Sequence, residues 1–153
     1  MKFRIMLAAC AATISACATE APEPVEPPPP PMLTDAQFDA LFNAAWNANP
    51  KPGSEVAFGE LIARTDISEA QRAKAYYGRG AIRGIWVRDW PMAYPQCSVM
   101  DYREMERLAP DHRLHANMVE DRKYQFSRFQ YFPNAPAACK DAAEAYRNEL
   151  AGF

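Results

Sequence analysis

From Leu33 onward the apolar residues fall at helical spacing. Phe38, Leu41, Phe42 and Ala45 make one stripe, the pattern of an amphipathic helix. Thr34 and Gln37 stand three apart and complete a capping box, while Leu33 and Phe38 hold the two positions of a hydrophobic staple. Asn47 to Gly53 carries two Asn, two Pro and a Gly, so the first helix stops there. Ser54 is expected to cap a second helix with the stripe Phe58, Leu61 and Ile62. Ser68 and Gln71 form another capping box, opening a third helix through Ala75, Tyr76, Tyr77, Ile82 and Ile85 to about Val87. Trp86 to Gln96 reads as irregular, because it holds Trp90, Pro91, Tyr94 and Pro95. A fourth helix is expected over about Ser98 to Leu108, ending before Pro110. Asp111 is expected to cap a fifth, reaching about Gln130. After a turn at Phe132 to Pro136, a sixth runs from about Ala137 to Leu150, with Ala142, Ala143, Tyr146 and Leu150 on one face. No segment alternates as a strand does. The expected class is all-α, and the short connections predict antiparallel neighbours.

Gly78, Gly80 and Gly84 lie inside the third helix. Each costs a helix interior about 1 kcal/mol against Ala, so something must favour them. Close approach of a neighbouring helix is the expected reason.

Ahead of residue 33 the pattern changes. Lys2 and Arg4 precede a ten-residue apolar stretch, Ile5 to Ile14. That length suits a signal-peptide core and is too short to span a bilayer. Ile14-Ser15-Ala16-Cys17 follows, and it resembles the lipobox of bacterial lipoproteins. The resemblance implies that the Cys17 thiol receives a lipid and that cleavage falls before it. Leu7-Ala8-Ala9-Cys10 also fits the pattern, but cleavage there would leave only Ile5 to Ala9 as an apolar core. Residues 20–31 hold seven of the 14 prolines, three glutamates and no basic residue. Proline lacks an amide donor and favours an extended, solvated chain. Residues 22–31 would reach about 30 Å at roughly 3.1 Å each. The expected organisation is a signal peptide over 1–16, a lipidated cysteine with a proline-rich stalk over 17–32, and a helical domain over 33–153. Ala18 after the cysteine implies, by the same resemblance, an outer-membrane position facing the periplasm.

Composition narrows the function. The 153 residues leave 121 for the helical part, and 49% are hydrophobic, enough for one modest domain with one core. The net charge of −2 gives no footprint for nucleic acid. From Cys17 onward there are 15 basic and 19 acidic residues, so attachment to an anionic membrane face would rest on lipid. With Cys10 removed and Cys17 lipidated, Cys97 and Cys139 remain. An even pair in an oxidising compartment favours a disulfide. Its loop of about 41 residues would be worth roughly 4 kcal/mol in the chain-entropy model. The alternative is two separate buried thiols.

Ala75-Tyr76-Tyr77-Gly78-Arg79-Gly80 resembles the first helix of a tetratricopeptide repeat, and Asp101-Tyr102-Arg103-Glu104-Met105-Glu106-Arg107-Leu108-Ala109-Pro110 resembles the end of its second. In that resemblance Gly80 lets the paired helix approach, Tyr102 and Met105 fill the space between, and Pro110 stops the helix. The distance from Gly80 to Pro110 exceeds the family's pattern, with the excess in Trp86 to Gln96, and Arg88-Asp89-Trp90 replaces the usual Gly-Asp-Tyr turn. Only one repeat, about residues 74–110, is recognisable. The resemblance implies antiparallel hairpins stacked as a short superhelix, with first helices lining a concave groove. Lys74, Tyr77, Ala81 and Gly84 would face that groove. The basic-plus-Asn clamp by which some members hold a C-terminal carboxylate is absent at Tyr77 and Ala81.

The expected partner-binding residues are Tyr77, Arg83, Trp86, Arg88, Trp90 and Tyr94, since aromatics and Arg dominate binding hot spots. The competing reading is that these rings cap one end of the core. His112 and His115 share a helix face but lack a third ligand at helical spacing. Asp101, Glu104 and Glu106 stand among Arg103 and Arg107, which reads as solvated ion pairs. No nucleophile pattern and no phosphate loop appears, so neither catalysis nor a metal or cofactor is expected. The expected function is a lipid-anchored periplasmic scaffold for an envelope protein or peptide. The alternative is a non-catalytic binder of cell-wall glycan or a small ligand through Trp86, Trp90 and Tyr94.

Overall fold

A computed structural model describes residues 31–48, 51–85 and 94–152. They form six α-helices, α1 (Asp35–Asn47), α2 (Lys51–Ala63), α3 (Glu69–Gly84), α4 (Pro95–Leu108), α5 (His115–Arg128) and α6 (Ala137–Ala151), with a 3-10 turn at Phe129–Tyr131. No strand occurs among the described residues, so the fold is all-α. No described helix is long and apolar enough to cross a membrane.

Both capping boxes form. Thr34 Oγ1 accepts from the Gln37 amide at 3.3 Å while Gln37 Oε1 accepts from the Thr34 amide at 3.0 Å. Ser68 and Gln71 repeat this at 3.1 and 3.0 Å. Other boundaries depart from the sequence reading. Ser54 does not cap α2; it is buried in the first turns, and its hydroxyl donates to the Ala48 carbonyl at 3.0 Å. The third helix stops at Gly84, before Val87. The fourth begins at Pro95, three residues earlier than expected, with extended Tyr94 as its cap. Proline is pre-organised for a first helical position, where its missing N–H costs nothing. Asp111 does not cap α5 either. The chain first makes two tight turns, His112 N to Ala109 O at 3.0 Å and His115 N to His112 O at 2.7 Å, and α5 starts behind Leu114.

The central helix is α3, which packs on α1, α2, α4 and α5. Its glycines make this possible. A Cβ on Gly80 would sit 2.7 Å from the Tyr102 ring and 3.1 Å from the Ser98 carbonyl. One on Gly78 would sit 2.5 Å from Phe58 and 2.9 Å from Phe42. The expected close approach is therefore real. Gly84 lies beside Ser98, and Ala73 joins Tyr102 and Met105, so α3 and α4 run antiparallel. By contrast α4 and α6 run parallel: Cys97 meets Cys139, Val99 meets Ala143, and Arg103 pairs with Glu149. The Cα atoms of Cys97 and Cys139 are 4.8 Å apart and their sulfurs are bonded.

Three apolar clusters result. Phe38, Phe58, Leu61, Ile62 and Ile82 lie between α1, α2 and α3, with Phe42 and Trp46 against them. Tyr102, Met105 and Met118 fill the space between α3, α4 and α5. Val99, Ala143 and Tyr146 sit under Phe126, Phe129 and Leu150. Full burial of side chains such as Phe58 and Ile82 stabilises by about 1.5–3 kcal/mol each.

Two ionic clusters replace the solvated pairs expected on α4. Asp101 is 2% exposed. It accepts from Arg79 Nη2 at 2.7 Å and Arg83 Nη1 at 3.0 Å, and Arg83 Nη2 also meets Glu55 at 2.6 Å. Burial pushes the Asp101 carboxyl up, and the two guanidiniums oppose it. Glu106 accepts from His115 at 3.1 Å, from Arg122 at 2.9 Å and from the Tyr146 hydroxyl. Of the three carboxylates, Glu104 keeps a surface pair, with Arg107 at 2.9 Å.

Candidate functional site

A groove lies where α5 and α6 part. Their backbones do not run against each other, and both rest on α4 instead. At the end of α5 the chain enters the 3-10 turn and then Phe132-Pro133-Asn134-Ala135-Pro136, whose second proline caps α6. Between these walls is a groove of about 730 Å³. Phe126 and Phe129 belong to its apolar part, their ring centres 5.2 Å apart. Arg147, from α6, lies over both rings at 5.4 and 4.9 Å. Its ion pair with Glu144 is loose, at 3.6 Å. Lys140, Asp141, Ser127 and Gln130 complete a rim that carries both signs of charge.

Gln96 lines the same groove and is only 4% exposed. Its Nε2 donates to the Phe132 carbonyl at 3.0 Å and, weakly, to that of Phe129 at 3.5 Å. Two carbonyl acceptors fix which end of the amide is nitrogen. Its Oε1 is thereby left as the buried side-chain polar atom without a hydrogen-bond partner among the described residues. A buried acceptor left unpaired costs about 1–3 kcal/mol.

The residues singled out from sequence are distributed differently. Tyr77 is half-buried, its ring stacked on Tyr102 at 6.0 Å and its hydroxyl donating to Asp121 at 3.0 Å. Burial and the Asp121 charge push that phenol up to about 12. Arg83 is taken up inside the bundle by Glu55 and Asp101. Tyr94 meets the Phe132 ring edge-on at 6.4 Å, and so shares Phe132 with Gln96. Trp86, Arg88 and Trp90 lie outside the described residues, as do Cys17 and the segments read from sequence as signal peptide and stalk, to residue 30. Among the residues assigned to a concave groove, Lys74 pairs with Asp39 at 2.6 Å and Gly84 is covered by Gln125. What remains there is a cleft of about 250 Å³ bordered by Asp35, Asp39, Lys74, His112 and Arg113.

No protein-family model, curated protein or solved structure matches this chain. Its chemistry is therefore read from the geometry alone. The α5–α6 groove presents acceptors (Asp141, Glu144), donors (Arg147, Lys140, Gln130) and a small apolar floor. Ser127 Oγ donates to the Tyr124 carbonyl at 2.7 Å, within its own helix. Such a surface suits a ligand that alternates donors and acceptors along its length. Gln96, Phe126, Phe129 and Arg147 were not singled out from sequence. The spacing of Phe126 and Phe129 marks a shared helix face, but nothing in it says that the face opens on a cleft.

Proposed function

We propose that this protein is a lipid-anchored scaffold of the bacterial envelope. In this reading Cys17 carries the lipid, residues 18–32 hold the domain off the outer membrane, and the domain captures a protein partner in the periplasm. The sequence pattern at Ile14 to Cys17 and the proline-rich stretch support the anchor. The approach of α3 and α4 at Gly80 and Tyr102 supports a repeat-like hairpin there. The observation that carries the binding role is the α5–α6 groove, with Arg147 over Phe126 and Phe129 and charges of both signs around it. Partner contact through Trp86, Arg88, Trp90 and Tyr94 belongs to the same proposal. Tyr94 leads into α4 one residue before Pro95, at the end of the domain that holds Gln96.

The test is photo-crosslinking in living cells with the full lipidated chain. A photoreactive residue at Gln130, in the groove, should give a discrete protein adduct, and one at Asn43, on the exposed face of α1, should not. Equal labelling from both positions, or none from Gln130, would refute the groove as a partner site. Separately, Cys17→Ala should release the protein from the membrane fraction, and retention would refute the anchor.

A further inference from the structure

We infer that the α1–α2 hairpin is a site of self-association, its outer groove packing on the same groove of a second copy of this chain. This goes beyond the scaffold reading and does not use the α5–α6 groove. α1 and α2 bury Phe38, Ala45, Phe58 and Leu61 in the cluster they share with α3. Between the two helices runs a groove of about 260 Å³. Its apolar lining is Leu41, Ala44, Ala45, Ala57 and Leu61, and no residue of α3 takes part in it. Leu41 is 40% exposed, and Val56, one turn before Glu60 on α2, is 62% exposed. In a stack of helical hairpins, a terminal unit keeps its outer face polar to stay soluble. This outer face is mostly apolar.

The charges on it name the occupant. Glu60 and Arg64 are the two charged residues of the lining, one of each sign and four positions apart. Glu60 is exposed and makes no ion pair among the described residues. Asp66 holds Arg64 through Nε at 2.9 Å and Nη2 at 2.7 Å, which leaves Nη1 for a further acceptor. A two-fold contact puts the same patch on both sides, so each charge must find its opposite within the patch itself. Laying α2 antiparallel on its copy sets Glu60 of each against Arg64 of the other and covers both apolar linings. Other occupants fit less well. A helix face that lies on a bilayer is bordered by Lys and Arg, and here Glu60 stands at the border. A partner of one charge sign would meet either Glu60 or Arg64 as a like charge. The Leu33 amide donates to the Asp66 carbonyl at 2.7 Å, so the chain enters the domain two residues from Arg64. A two-fold axis preserves direction along itself, so both chains would enter at one end of it, as two anchors in one membrane require.

The experiment co-expresses two differently tagged copies of the full lipidated chain, each with a photoreactive residue at Ala44, which lines the groove as Asn43 does not. The expected result is an adduct carrying both tags. Glu60→Arg in both copies sets like charges against each other and should lower its yield at least fivefold, as should Arg64→Glu in both. Pairing a Glu60→Arg copy with an Arg64→Glu copy should restore the adduct, because each cation again faces an anion. Glu120→Arg, on the exposed side of α5, should leave it unchanged. Each variant is first shown to accumulate as wild type does. If Arg64→Glu unsettles the turn at Asp66, Glu60→Arg still decides, since Glu60 is exposed. No adduct between copies, or one indifferent to Glu60→Arg, would overturn the inference. So would an adduct at Ala44 with lipid or with a different protein in place of the second copy. The Gln130 crosslink is read separately, so the failure of one reading leaves the other standing.

Discussion

Asp101 offers the sharpest test of how the helices are held. Its carboxylate is 2% exposed and receives Arg79 and Arg83 at 2.7 and 3.0 Å. Replacing it by Ala removes the anion and leaves two cations in place. Arg83 keeps Glu55 at 2.6 Å. Arg79 keeps the face of Tyr76, at 5.3 Å, and the more distant charge of Glu55. Breaking a buried pair in this way costs about 3–5 kcal/mol, because the uncompensated charge stays desolvated. Single domains are stable by about 5–15 kcal/mol in all, so Asp101→Ala should lose a large part of its stability. The assay is urea unfolding of the oxidised domain at pH 7, followed by far-ultraviolet circular dichroism. Glu104→Ala is the control, since Glu104 is 37% exposed and its partner Arg107 is 64% exposed; it should cost less than about 1 kcal/mol. A double variant with Arg79→Met should recover part of the loss, because it removes the stranded cation. The reasoning is refuted if Asp101→Ala costs no more than Glu104→Ala, or if Arg79→Met deepens the loss additively.

Two further tests address packing and titration. Gly80→Ala should lower the melting temperature, since about 1–3 kcal/mol of overpacking against Tyr102 and the Ser98 carbonyl outweighs the helix gain of about 1 kcal/mol. Gly59→Ala, whose new methyl would meet nothing closer than Arg79 at 3.9 Å, should raise it; a shift of the same sign in both would contradict this account. Burial pushes the Glu106 carboxyl up, but bonds from Tyr146, His115 and Arg122 outweigh it and hold the group below the usual range. A depressed carboxylate contributes stability that is present above its unfolded value, about 4.3, and lost as pH falls through the folded one. The urea midpoints of wild type and Glu106→Gln should therefore differ at pH 7 and converge towards pH 3, and an equal gap at both would count against it.

How much of this was legible depended on the range of the interaction. The capping boxes at Thr34 and Ser68 are closed by residues three positions away, and both form. The Gly80–Tyr102 approach was legible because a glycine inside a helix needs an explanation, and few exist. Ser54 and Asp111 misled because a side chain able to cap can also turn elsewhere. Ser54 does so, reaching inward to the Ala48 carbonyl. Asp101 looked solvated beside Arg103 and Glu104, and its true partners come from α3. Arg79 and Arg83 share a helical face at i and i+4, and that spacing was the available signal. Nothing local marked Gln96, since its environment is made by the Phe129 and Phe132 carbonyls, 33 and 36 residues on.

The groove itself follows from which faces carry small side chains. α3 and α4 come close because Gly80 and Gly84 give Tyr102 and Ser98 room. α6 has its own small buried face, Ala143 beside Cys139, and presents it to Val99 and Cys97 of α4. That choice sets α6 parallel to α4 and turns its larger residues towards α5. There Tyr146 and Arg147 meet Arg122, Phe126 and Phe129. No glycine lies in α5, and rings and guanidiniums on both sides keep the two backbones apart. A repeat of the α3–α4 hairpin would have closed this space. The same large side chains that prevent closure line the opening, so the departure from a regular hairpin stack and the groove have one cause.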